Sequence, residues 1–259
     1  MSDLVLYEHR PHAAVITINR SDKRNALSRE LIGELGAAFA RAKSDEAARC
    51  VILTAAGPTF CAGMDLAELR ESVEKQTAGE RVWDDALTLA RLYDSIYTLP
   101  KPVIAAINGA AVAGGAGLVT VCDLAIAAPE AKFGYPEVRR GLVAAMVMPH
   151  LLRHVGERMA RYLLLTGELI DAAAAANAGL INEVVPAEKL MSRAQELAKA
   201  LAEGGPKALA ATKDLLARFS RQALSIEEAA KASAAPRLGD ECRQGLTAFF
   251  DKKPVPWLK

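Results

Sequence analysis

The stretch KPVIAAINGAAVAGGAGLVTVCD, Lys101–Asp123, decides how this chain is built. Pro100 and Pro102 end whatever helix precedes them. Val103–Ile107 is a short, continuously apolar run of the kind expected for a strand buried on both faces. Asn108 and the glycines after it break that run, and a helix is expected from about Gly114. Pro102–Val121 is almost free of charge and long enough to span a bilayer. With Asn108, four glycines and the tight AGGAG stretch inside it, the segment instead reads as buried strand, turn and buried helix, and no membrane span is expected.

The same unit recurs on either side. Leu4–Glu8 and Ala14–Asn19 read as two strands joined by Arg-Pro-His. Ser28 can cap a helix carrying Leu31, Leu35 and Phe39 on one face. Cys50–Thr54 is a β-branched apolar run suited to a buried strand. The Gly57-Pro58 turn and a loop, Thr59–Asp65, lead to a helix from Leu66, and a long helix is expected over about Glu80–Leu99. After the central unit come a strand at Asp123–Ala127 and a short extended piece at Lys132–Gly134. A further strand is expected at Asn182–Val185, and from Pro186 every periodic segment is helical, ending with Leu238–Phe250. Strand–turn–helix units followed by a helical tail give an α/β core with a C-terminal α-helical appendage.

Composition bounds the partners. The 259 residues carry 32 Lys+Arg against 31 Asp+Glu, and the charges are scattered. Neither a nucleic acid nor an anionic membrane surface is expected as a partner. The apolar fraction of 51% with net charge +1 excludes a disordered chain. Cys50, Cys61, Cys122 and Cys242 form no CxxC pair, so reduced thiols and a cytoplasmic setting are expected. The start, MSDLVLYEHR, lacks the pattern of a signal peptide. His150 and His154 lie four apart, but Leu151 stands where a zincin needs Glu, and no metal is expected.

Several catalytic signatures are absent. Gly115-Ala116-Gly117 does not continue into GxGxxG because Thr120 takes the last position; no P-loop GK[ST] follows, and there is no GxSxG elbow. Two glycine-bearing segments remain. Phe60-Cys61-Ala62-Gly63-Met64-Asp65-Leu66 is either an ordinary loop with Asp65 as helix N-cap or a place where a ligand approaches the Ala62 N–H. Asn108–Gly117 is either close packing or a helix N-terminus whose Gly114 and Gly115 amides meet developing negative charge. Together two such amides would form an oxyanion hole. Phe133-Gly134-Tyr135-Pro136-Glu137-Val138 then places a carboxylate, Glu137, on a turn among apolar residues.

In this order the motifs resemble the crotonase (enoyl-CoA hydratase/isomerase) superfamily over nearly the whole chain. The matching residues are Arg24-Asn25-Ala26-Leu27, the FCAGMDL segment, Lys101–Gly109, Ala113–Gly117 with Cys122-Asp123, Phe133–Glu137, and the tail Gly245–Pro254. The resemblance implies a spiral of ββα units over residues 1–200 and a C-terminal helical trimerisation region over 201–259, assembled as a homotrimer or dimer of trimers. It implies an acyl-CoA thioester substrate, with no cofactor beyond the coenzyme A of that substrate. The Ala62 and Gly114 N–H groups are then the oxyanion hole and Glu137 the general base. Arg24, Ala26, Leu27, Ala62, Asp65, Leu66 and Gly115 fall in segments that hold CoA and the acyl group. Tyr135 is a second polar group or a wall of the acyl pocket, and Lys252 or Lys253 of a neighbouring subunit meets the CoA phosphates.

The sequence also departs from the two-glutamate hydratases, which carry a first Glu where Gly117 stands. Val138–Met148 replaces their Pro-Gly-Gly-rich turn. The continuation is similar to single-glutamate 3-methylglutaconyl-CoA hydratase-like proteins. The resemblance thus implies a hydratase acting on a 2-enoyl-CoA, branched or glutaconyl-type. The alternatives are a Δ3,Δ2-enoyl-CoA isomerase using the same Glu137 and a catalytically weak acyl-CoA-binding member. Arg139 and Arg140 could pair with a distal carboxylate if they face inward.

Overall fold

A computed structural model of the chain describes residues 4–74, 78–220 and 226–254. Two sheets organise it. The larger has strand order β1-β2-β3-β5-β7-β10, formed by β1 (Val5–Arg10), β2 (Ala13–Ile18), β3 (Cys50–Ala55), β5 (Val103–Ile107), β7 (Leu124–Ala127) and β10 (Glu183–Val184). β1 and β2 are an antiparallel hairpin, and every later pairing is parallel. β3 and β5 are buried at every position, as their unbroken apolar runs require of strands covered on both faces.

The smaller sheet has the order β4-β6-β8-β9, with β4 (Thr59–Cys61), β6 (Ala110–Val112), β8 (Lys132–Gly134) and β9 (Leu169–Asp171). Only β8 was legible as extended. β4 and β6 lie inside segments expected to be a loop and a glycine-rich turn. At three residues each, such strands show no period, and parallel pairing with neighbours distant in sequence creates them.

Helices cover the larger sheet. In α1 (Arg29–Ser44), the Ser28 hydroxyl accepts from the Leu31 N–H at 3.2 Å. The same helix buries Leu31, Leu35 and Phe39, and truncating one of these to Ala would cost about 2–5 kcal/mol. On the other face α7 (Leu190–Glu203) packs Ala194 and Ala198 against Ile52 and Ile104. The remaining core helices are α2 (Leu66–Glu74), α3 (Ala78–Tyr97), α4 (Gly114–Thr120), α5 (Met148–Thr166) and α6 (Ala172–Asn177). Gly156, with φ of 68°, kinks α5. No described helix is long and apolar enough to cross a membrane.

The C-terminal region contains α8 (Pro206–Ser220), α9 (Ile226–Ala234) and α10 (Asp240–Phe250). Residues 221–225, within the expected helical tail, lie outside the described residues. α10 begins at Asp240, not Leu238, because Ala235–Leu238 form a separate 3-10 turn. These helices also close the core of their own chain. α9 lays Ala230 and Ala234 against Val82, Ala86 and Ala90 of α3, while Cys242 and Leu246 of α10 pack on Leu69 and Val73 of α2. Lys213 of α8 is buried, with its Nζ 2.6 Å from Asp123 Oδ2 and 3.1 Å from the Lys101 carbonyl.

Candidate active site

Three chain segments expected to carry chemistry converge on one cavity. They are the loop after β4, the start of α4 and the turn after β8. With α3 and the C-terminal region they enclose about 740 Å³, counted out to the mouth, against mostly apolar walls. Ala144, Met146 and Val147 of the AAMVM segment line it opposite Met64, Leu66 and Leu69.

The loop after β4 is pinned by Leu27. The Leu27 N–H donates to the Gly63 carbonyl at 2.8 Å, and the Asp65 N–H donates to the Leu27 carbonyl at 3.0 Å. This parallel bridge between Leu27 and Met64 turns the N–H of Met64 itself away from Leu27. The Ala62 N–H donates to the Arg24 carbonyl at 3.1 Å. Ala62 therefore lines the cavity, but its amide is committed, which corrects the expectation that it is the loop's free donor. Gly63 sits at φ 89°, and a Cβ there would stand 2.8 Å from the Ala113 Cβ and 3.3 Å from the Gly114 nitrogen. Glycine thus lets the two loops touch.

Gly114 is the first residue of α4, so its N–H has no acceptor within the helix. Ala113 before it has φ 52° and ψ −124°, a conformation that costs a side-chain-bearing residue about 1–3 kcal/mol. That backbone turn aims the start of α4 at the cavity. Gly115 plays a packing part: a Cβ would lie 2.2 Å from the Cys61 carbonyl oxygen, and the residue does not line the cavity.

Gly117 has its space already filled. A Cβ would meet Tyr93 Oη and Val147 Cγ1, each at 2.6 Å. Tyr93, on α3, is 2% exposed, and its hydroxyl donates to the Gly114 carbonyl at 2.7 Å. Burial pushes its acidity well above the usual tyrosine range. The second polar group here is thus a neutral phenol from a helix whose period reads simply as core. The sequence held no signal that separates Tyr93 from Leu89 or Ile96.

Glu137 lies in the 3-10 turn Pro136–Arg140. The residue as a whole is half-buried, but its Oε2 is closed off from solvent and takes no hydrogen bond from any described residue. Burial raises its pKa from 4.5 to about 7. Its own backbone N–H and the cations Arg140 and Arg237 pull the other way. Such a group exchanges a proton readily near neutrality.

Two arginines share this cavity. Arg140 is half-buried, its guanidinium carbon 4.8 Å from the Phe249 ring centroid, while Arg139 is exposed and donates to the Thr166 carbonyl. Arg237 follows α9 and is 3% exposed. Sequence reasoning missed it; its one signal is a lone charge in the run Ala-Ser-Ala-Ala-Pro-Arg-Leu.

The other expected residues divide by role. Leu66 lines the cavity. Asp65 serves as an N-cap, its Oδ1 accepting from Ala67 N–H at 3.0 Å, and its Oδ2 is 2.7 Å from Arg20. Burial alone would raise its pKa, but Arg20 and the amides outweigh it, and the carboxylate stays below its usual range. Ala26 and Leu27 lie beside this loop with Arg24, which is exposed at φ 52°. Asn25 braces the segment through Nδ2 to the Ala56 and Thr59 carbonyls at 2.8 and 2.6 Å. Tyr135 is fully buried outside the cavity lining, so it underlies the site and does not wall it. Lys252 and Lys253 are exposed beyond α10, away from this lining. His154 Nε2 lies 2.9 Å from the Thr120 carbonyl, and no metal-binding cluster occurs among the described residues.

Comparisons with known proteins find relatives over nearly the whole chain. The family pattern described as enoyl-CoA hydratase/isomerase matches residues 8–259. A Thermus thermophilus relative, itself assigned only provisionally as an enoyl-CoA hydratase, is 42% identical over 94% of this chain and 96% of its own. The 2,3-dehydroadipyl-CoA hydratase of Escherichia coli is 31% identical, covering 98% of this chain and 97% of its own. The crystal structure of an enoyl-CoA hydratase from Mycobacterium avium superposes with a TM-score of 0.86 at 35% identity, over 99% of this chain and 100% of that one. The chain belongs to the enoyl-CoA hydratase/isomerase (crotonase) family.

Proposed function

We propose that the protein hydrates a 2-enoyl-CoA with Glu137 as the one carboxylate of the reacting centre. The observation that carries this reading is the pairing of Glu137, an acid with a buried, unbonded Oε2 and a pKa of about 7, with a Gly117 position filled by Tyr93. Among the described residues lining the cavity, Glu137 is the single acid.

The thioester carbonyl sits where the Gly114 N–H and the outward Met64 N–H meet, with Met64 replacing Ala62 in this role. Each such donor typically lowers the barrier by about 2.7–4 kcal/mol. Ionised Glu137 takes a proton from water as its oxygen bonds to C3, and electron density moves onto the thioester oxygen. Glu137 then returns that proton to C2, so one water is added and the base regenerated. Tyr93 keeps its proton on the Gly114 carbonyl and offers oxygen lone pairs to hold the water. Arg24–Leu27, Asp65 and Leu66 border the CoA path; Lys252 or Lys253 of a neighbouring subunit meets its phosphates in a homotrimer or dimer of trimers built on residues 201–259. The four free, buried cysteines support work in a reducing cytoplasm.

The test follows conjugated-enoyl absorbance with crotonyl-CoA, 3-methylglutaconyl-CoA and 3-hexenoyl-CoA. Loss of absorbance from a conjugated substrate is expected. A gain with 3-hexenoyl-CoA and no loss with the others would make the enzyme an isomerase.

A further inference from the structure

Arg237 is a buried cation that forms no ion pair with a carboxylate among the described residues. Its Nη2 donates to Ser233 Oγ at 2.9 Å and approaches Met64 Sδ at 3.4 Å, whereas Nη1 is closed off from solvent and meets no acceptor among the described residues. The nearby acids are otherwise engaged. Asp85 receives two bonds of 2.7 Å from Arg29 and one of 3.2 Å from Ser72. The buried Oε2 of Glu137 takes no bond from either cavity arginine or from any other described residue.

Arg140 repeats the pattern in the same cavity. One of its terminal nitrogens donates to the Pro136 carbonyl at 3.3 Å, and its Nε is buried and unpartnered. Among the described residues, a cavity with mostly apolar walls thus holds two guanidinium groups against one carboxylate. Leaving a charged donor unpaired in such a place is costly, and a planar fork of N–H groups fits a carboxylate. Burial lowers the Arg237 pKa to about 10, so the group stays charged at neutral pH.

We propose that Arg237, assisted by Arg140, binds a terminal carboxylate on the acyl chain, so that the substrates are CoA monothioesters of unsaturated dicarboxylic acids. This deepens the enoyl-CoA reading and rests on it. Arg237 is then the specificity-determining residue, supplied by the C-terminal region to a cavity whose reacting groups lie in the core.

The test is binding and turnover on one panel. Calorimetry with the intact protein compares glutaryl-, adipoyl- and pimeloyl-CoA with pentanoyl-, hexanoyl- and heptanoyl-CoA. At least one diacid thioester should bind about tenfold or more tighter than its neutral partner of equal length. In Arg237→Met and the charge-keeping Arg237→Lys, the preference should collapse in the first and survive in part in the second. Equal or weaker binding of every diacid by the wild type would overturn the proposal, and needs no variant to fold. Hydration of the matching 2-enoyl thioesters separates the two readings. Tight diacid binding without turnover of any thioester would sink the hydratase reading alone, and turnover with no diacid preference would sink the carboxylate subsite alone.

Discussion

The Tyr93 hydroxyl donates to the Gly114 carbonyl at 2.7 Å, and so joins α3 to the cavity-lining first residue of α4. One helix thereby fixes the angle of another at its first turn. The bond also holds the phenol oxygen where Gly117 leaves room for no side chain.

Tyr93→Phe removes this bond while keeping the ring. A buried carbonyl that loses one partner should cost about 0.5–1.5 kcal/mol, read as a lower denaturation midpoint. Turnover should fall while KM changes little, because the bond aims a donor that matters most in the transition state. Unchanged stability together with unchanged kcat would contradict this account.

Gly117→Ala should be destabilising by about 1–3 kcal/mol through overpacking against Tyr93 and Val147. Gly117→Glu should be worse and should gain no activity, since the carboxylate would displace Tyr93 instead of joining it. A stable Gly117→Glu protein that turns over faster than wild type would show that the site is a two-carboxylate site in waiting.

The pH dependence follows from Glu137. As a base it must be ionised, so kcat/KM should climb through a single limb near pH 7 and then level off. Arg237 lowers this pKa, so Arg237→Met should move the limb to higher pH. Stability runs the other way. The folded state holds this proton more tightly than the unfolded state, so the contribution is full below about pH 4.5 and is lost as pH rises through about 7. At full size it is roughly 3 kcal/mol, measured by denaturant titration of wild type against Glu137→Gln at pH 4.5 and 8.

How much of this was legible in the chain depended on the range of the interaction. β3 and β5 could be read because a strand buried on both faces must be apolar throughout. Glu137 and Gly114 could be read because ordered motifs kept their spacing. β4 and β6 could not, since only pairing across some fifty residues makes three-residue segments into strands. Ala62 and Met64 could be told apart only once the Arg24 carbonyl was seen to take the Ala62 N–H and the bridge to Leu27 to turn the Met64 N–H away. Tyr93 hid behind a helical period shared with plain core residues. Arg237 lies 100 residues from Glu137 and comes to line the same cavity through tertiary packing that includes α9 on α3.

The most direct measurement of the central claim is turnover of the best enoyl-CoA by Glu137→Gln, with acyl-CoA affinity measured alongside. The amide keeps the shape of the side chain and removes the base. With no second acid lining the cavity among the described residues, binding should persist while kcat falls by about 10²–10⁴-fold or more. Activity within a few-fold of wild type, with binding intact, would show that another group is the base.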